Sequence, residues 1–86
     1  MNNINNISND VYSVIANQMK ICDQELKNEV LGKNDNFKEL FGFGDIEESI
    51  LINSIEHKFN IKIEEKEYVR LNSVNKIIRI VKDRIN

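Results

Sequence analysis

Eighty-six residues, 41% of them apolar and 30% charged, suit one small globular domain, because two half-length pieces would each be too short to bury a core without metal or disulfides. Twelve bases against fourteen acids argue against a nucleic-acid-binding domain, and one cysteine with one histidine excludes a disulfide framework and a Cys/His zinc site. No apolar run is long enough to cross a bilayer, and the opening MNNINNISND lacks the basic and apolar regions of a signal peptide, so the expectation is a cytoplasmic protein without membrane association.

The Asn-rich start has little to bury, so residues 1–7 read as a mobile tail ahead of a single folded domain, 8–86. Ser8 or Asn9 can cap a first helix over about 9–22, in which Val11, Ile15, Met19 and Cys22 recur at the spacing of one buried stripe; Cys22 is then packed rather than reactive. Asp23 opens a short further stretch with Leu26 and Val30 one turn apart, and Gly32 fits a left-handed position just past its end. Residues 33–45, KNDNFKELFGFGD, mix turn formers with Phe37, Leu40, Phe41 and Phe43 and read as a loop pinned to the core by its aromatics.

A second helix is predicted over 46–58, with Asp45 as its N-cap, Glu47 and Glu48 in a first turn that favours acids, and Ile46, Ile50, Leu51, Ile55 and Phe59 on adjoining faces. Ile55 is expected to face the core and Glu48 the solvent. Ile61 and Ile63 alternate too briefly for a sheet, and EEKEYVRL forms a short helical turn carrying Tyr68, Val69 and Leu71. Ser73 caps a last helix over 74–85, where Val74, Ile77, Ile78, Val81 and Ile85 repeat at three and four and Lys82 and Arg84 sit near the negative helix end. The fold class is therefore all-α: a small four-helix bundle with a long loop between helices one and two and a short third helix.

The near-neutral total hides an uneven spread. Residues 34–59 hold six acids and two lysines, a net −4, while residues 60–86 hold seven bases and four acids, a net +3. An acidic middle of this kind suits a basic protein partner. No nucleophile–base pair, metal cluster or phosphate loop stands out, so no catalytic residue and no metal ligand is assigned. His57 reads as a surface cation at a helix end, and Glu47 and Glu48 point to different sides of a helix start, which makes them a poor acid/base dyad.

The stretch NFKELFGFGDI, the segment Phe59-Asn60-Ile61-Lys62-Ile63 and the triplet Asn72-Ser73-Val74 together resemble the acyl carrier protein family. They match its loop of form Phe-x-x-(x)-Leu-Gly-x-Asp-Ser-Leu, its Ile-x-Ile segment after helix two, and its Thr-Thr-Val start of helix four. The likeness runs without gaps from Asn36 to about Val81. It implies the four-helix carrier fold and partners among enzymes of fatty-acid, polyketide or nonribosomal peptide assembly that carry basic docking patches. It also implies docking through the start of helix two: Phe43, Ile46, Glu47, Glu48 and Ile50 around Asp45.

In that family a serine at this helix start is esterified with 4′-phosphopantetheine. Here Asp45 takes the serine's place, Gly44 that of the preceding aspartate and Ile46 that of the following leucine. A carboxylate cannot replace the hydroxyl nucleophile, because its attack on the coenzyme A pyrophosphate would not leave a stable phosphodiester. The nearest hydroxyl, Ser49, lies a full turn inside the helix. The expectation is therefore a monomeric, non-enzymatic, carrier-like docking protein without a phosphopantetheine arm, in a lineage that has lost the cofactor, as the second departure at Gly44 suggests. The alternative is a working carrier whose attachment serine has been replaced by Asp45.

Overall fold

The computed structural model of the chain describes residues 4–85, and every regular element among them is helical. Helix α1 (Ile4–Met19) buries Ile7, Val11, Tyr12, Ile15 and Ala16, an apolar stripe at helical spacing. It begins before the expected Ser8 or Asn9 cap: Ser8 lies inside the helix, buried, and Ile7 belongs to the core, so the helical body reaches into the stretch read as a mobile tail. Residues 1–3 of that tail lie outside the described residues.

The helix also stops three residues early. Lys20 turns left-handed at φ 61°, and the Ile21 amide donates back to the Ala16 carbonyl oxygen at 3.0 Å, a six-to-one closure in which a lysine occupies the place glycine usually takes. The reversal carries Cys22 off the stripe, so the thiol expected in the core is exposed, at the cap of the next helix.

Helix α2 (Asp23–Glu25) runs straight into a wider π-helical turn, Leu26–Val30, closed by the Leu31 amide on the Leu26 carbonyl oxygen at 2.8 Å. Widening the turn by one residue moves the buried partner of Leu26 from the expected Val30, which is exposed, to Leu31, which is buried. Leu31 is extended, so no left-handed cap is needed and Gly32 does not supply one. Gly32 instead allows a close approach: its amide donates to Asp35 Oδ2 at 2.8 Å, and a Cβ there would stand 3.2 Å from that oxygen. The buried Tyr12 hydroxyl donates to the Leu31 carbonyl oxygen at 2.8 Å and ties this segment to α1.

The expected loop over 33–45 contains a helix, α3 (Phe37–Phe41). Asn36 caps it by accepting from the Glu39 amide at 3.1 Å, and Gly42, at φ 69°, ends it in the left-handed conformation while the Phe43 amide reaches the Lys38 carbonyl oxygen at 2.8 Å. Phe37 is fully buried, and its amide donates to the Asn72 carbonyl oxygen at 3.0 Å, which fastens α3 to the chain just before the last helix.

Helix α4 (Asp45–Phe59) buries Leu51, Ile52 and Ile55. It ends at a left-handed Asn60, with the Ile61 amide on the Glu56 carbonyl oxygen at 3.1 Å and the Glu56 carboxylate accepting from the Ile63 amide at 2.7 Å. The expected short third helix is a 3-10 helix over Glu65–Arg70. At three residues per turn only every third side chain returns to the core: Tyr68 is half-buried and Leu71 buried, whereas Val69 is exposed.

Helix α5 (Val74–Ile85) buries Val74, Ile77, Ile78 and Val81, and Ser73 caps it as the sequence predicts, Oγ accepting from the Lys76 amide at 3.3 Å. Helix α1 packs on both α4 and α5, and these three long helices enclose a single core. The radius of gyration of 11.8 Å is close to the ~12 Å of a compact domain of this length.

Candidate functional site

The start of α4 is positioned by three contacts. Gly44 is the N-cap residue in extended backbone, and its amide donates to Glu47 Oε1 at 2.9 Å. The helix opens one residue earlier than the pattern predicts, so Asp45 is not the cap but the first helical residue. Its carboxylate is exposed and joins no other described residue. The backbone carbonyl of Glu47 accepts from Gln18 Nε2 of α1 at 3.0 Å, which fixes the first turn against the longest helix. Lys38 of α3 binds the Glu48 carboxylate and also donates to the Tyr68 carbonyl oxygen at 2.9 Å.

Of the expected docking residues, the structure exposes some and withdraws others. Ile46 and Ile50 are 73% and 48% exposed, one turn apart, with Asp45, Glu47 and Ser49 also at the surface. Glu48, expected in solvent, is engaged by Lys38 and only 24% exposed. Phe43 is half-buried; its ring meets Phe37 edge-on at 5.7 Å and Phe41 at 6.2 Å, so it braces the loop more than it presents a free face.

The aromatics pin this segment as the sequence predicts: Phe37 and Phe41, four positions apart, face inward, and Leu40 between them is 54% exposed. The spacing within α3 carried that signal. The role of Lys38 had no local signal, since its partners lie ten and thirty positions away.

The chemistry of this edge is therefore that of a contact surface: an apolar pair, Ile46 and Ile50, flanked by two carboxylates at a helix start, where the helix dipole also favours negative charge. Elsewhere, the Glu67 carboxyl is held below the usual carboxylate range, first by the amide of Glu64 and then by the Arg84 guanidinium, which lies 2.6 Å from Oε1. Burial, with Asp35 nearby, raises the Tyr12 phenol. His57 is exposed in the last turn of α4. Among the described residues no group of three or more His, Cys, Asp or Glu side chains could hold a metal ion, and no helix is long and apolar enough to cross a membrane. No protein-family model matches the chain, and no curated protein matches it significantly.

Proposed function

We propose that the chain is a carrier-protein-like docking protein that binds enzymes of fatty-acid, polyketide or nonribosomal peptide assembly through the start of α4, without a phosphopantetheine arm of its own. The observation that carries this reading is the exposed pair Ile46 and Ile50 beside an unpaired Asp45, at the helix start where the resemblance to acyl carrier proteins puts the prosthetic group. Apolar side chains exposed at a helix start that is otherwise tied down by Gln18, Glu47 and Lys38 suit a rigid contact surface. The engagement of Glu48 narrows the proposed surface to Asp45, Ile46, Glu47 and Ile50, with Phe43 at its margin.

A partner for this edge offers an apolar slot rimmed by bases. The test is capture of synthases encoded beside the gene, comparing wild type with Ile46→Asp/Ile50→Asp and with Asp45→Lys. Loss of capture in both variants, with folding intact by circular dichroism, supports the reading, and capture unchanged by either overturns it.

A further inference from the structure

The face of the molecule formed by α5 and the turn before it has the opposite character. A shallow groove there is rimmed by Arg70, Lys76, Arg79 and Lys82, and of the apolar residues along it only Ile80 is partly exposed, Leu71 and Ile78 being buried beneath it. None of these four cations joins an ion pair among the described residues, whereas Arg84 at the end of the groove is committed to Glu67 and Asp83. Four unpaired cations around a groove with one partly exposed isoleucine fit an acidic segment. A nucleic acid fits it poorly: no aromatic ring lines the groove for a base to stack on, and Glu67 and Asp83 interrupt the basic rim along which a phosphate backbone would run.

The chain itself carries a segment of the matching kind. At the start of α4, Asp45 and Glu47 flank Ile46 and Ile50, and no described ion pair joins those acids to the bases of α5. Between two chains the acidic helix start and the basic groove are complementary in charge. We infer that the α5 groove receives the α4 start of a second copy, giving a head-to-tail contact that is weak, salt-sensitive and covers the docking edge. The inference rests on that edge being a contact surface, and it makes self-association a competitor of enzyme docking. Because the two halves of the contact differ, it closes as a two-fold dimer only where both groove-to-helix pairs form at once, and otherwise leaves a free groove and a free helix start.

The experiment is sedimentation velocity on the full chain at sub-millimolar concentration, with salt raised from about 0.01 M to about 1 M, over which the screening length falls from ~30 Å to ~3 Å. Wild type is expected to sediment above its 10.1 kDa monomer mass at low salt and to return to it at high salt. Two variants each remove one half of the contact: Lys76→Glu/Arg79→Glu on α5, and Asp45→Lys/Ser49→Lys on α4, all four at exposed positions. Each alone is expected to stay monomeric, and an equimolar mixture to associate again, a rescue that a merely misfolded variant would not give.

A wild type that stays monomeric at low salt while the α4 edge still captures enzymes overturns this inference and leaves the proposed function standing. Salt-dependent association with rescue by the mixture, but no enzyme captured, supports this inference and overturns the proposed function. Association untouched by either variant, or a labelled oligonucleotide bound by monomeric wild type and lost in Lys76→Glu/Arg79→Glu, overturns the inference, the last in favour of nucleic acid.

Discussion

Lys38 links Glu48 to the carbonyl oxygen of Tyr68, so one ammonium on a five-residue helix joins α3, the first turn of α4 and the 3-10 helix. Its side chain is 18% exposed and that of Glu48 24%, which places the pair between a surface ion pair and a buried one. At that depth the ionic partners are only partly screened, and removing one leaves the other with a desolvation cost.

A double-mutant cycle with Lys38→Met and Glu48→Gln is therefore expected to give a coupling energy of about 1 kcal/mol in urea unfolding, more than a fully exposed pair usually supplies. Additive effects of the two substitutions would show that Lys38 serves Tyr68 alone. The same geometry makes Glu48→Lys a poor probe of docking, since it places two ammonium groups together and disturbs the fold.

The pattern of buried positions was legible where periodicity was long. Ile15, Ile55, Ile77 and Val81 all sit where spacings of three and four predict, and Ser73 caps α5 as its side chain allows. What the sequence did not disclose were the deviations that depend on backbone outside those runs. A lysine in left-handed backbone at position 20 turns Cys22 outward, and a π turn exchanges Val30 for Leu31. Propensity rules place glycine, not lysine, at such a reversal, and they carry no signal for a π turn.

At the candidate site, the exposure of Ile46 and Ile50 was implied by the docking expectation drawn from the carrier resemblance, not by their hydropathy, which alone would have buried them. The capture of Glu48 by Lys38 is a contact across ten positions and could not be read from either residue.

The two faces of α4 should respond differently to truncation. Ile55 is fully buried, so Ile55→Ala is expected to cost about 2–4 kcal/mol through lost burial and a residual cavity. Ile50→Ala is expected to change stability by no more than ~0.5 kcal/mol, since Ile50 is about half exposed. Urea unfolding with a shared slope measures both, and equal effects would mean the helix is rotated about its axis.

Gly42 offers a test of pure backbone strain. It holds φ 69°, yet a Cβ there would meet nothing within 4 Å, so Gly42→Ala carries no steric clash with neighbours. The expected loss is about 1 kcal/mol, the cost of left-handed backbone for an L-residue, and Gly42→Asn is expected to recover part of it. A larger loss would point to contacts that the open space does not contain.

The Glu67 carboxyl, lowered by the Glu64 amide and then by Arg84, sets a pH dependence whose sign follows from linkage. Because its folded value lies below the ordinary value of about 4.3, the deprotonated form stabilises the fold. That contribution is fully present above the ordinary value and is lost as pH falls through the folded one. Thermal melts of wild type and Glu67→Gln are expected to differ most at neutral pH and to converge in acid below that window. A constant difference at every pH would place the contribution of Glu67 in packing instead.

The absence of a hydroxyl at the start of α4 leads to the most direct chemical test. Incubation with coenzyme A and a broad-specificity phosphopantetheinyl transferase is expected to leave the intact mass of the wild type unchanged. Asp45 is accessible, yet a carboxylate attacking the pyrophosphate would give a labile acyl phosphate rather than a phosphodiester. Ser49 has the hydroxyl, but it sits one turn inside α4, with its backbone already helical. A gain of one phosphopantetheine mapped to Ser49 would overturn the assignment of Asp45 to the serine's place. Asp45→Ser puts a hydroxyl at the first helical residue, exposed and followed by Ile46. If that variant gains the mass, the loss of the arm is confined to one side chain and the surrounding surface still fits the transferase. If it does not, Gly44→Asp/Asp45→Ser is the next variant: loading there and not in the single substitution would assign the remaining defect to Gly44, whose backbone amide is already engaged by Glu47.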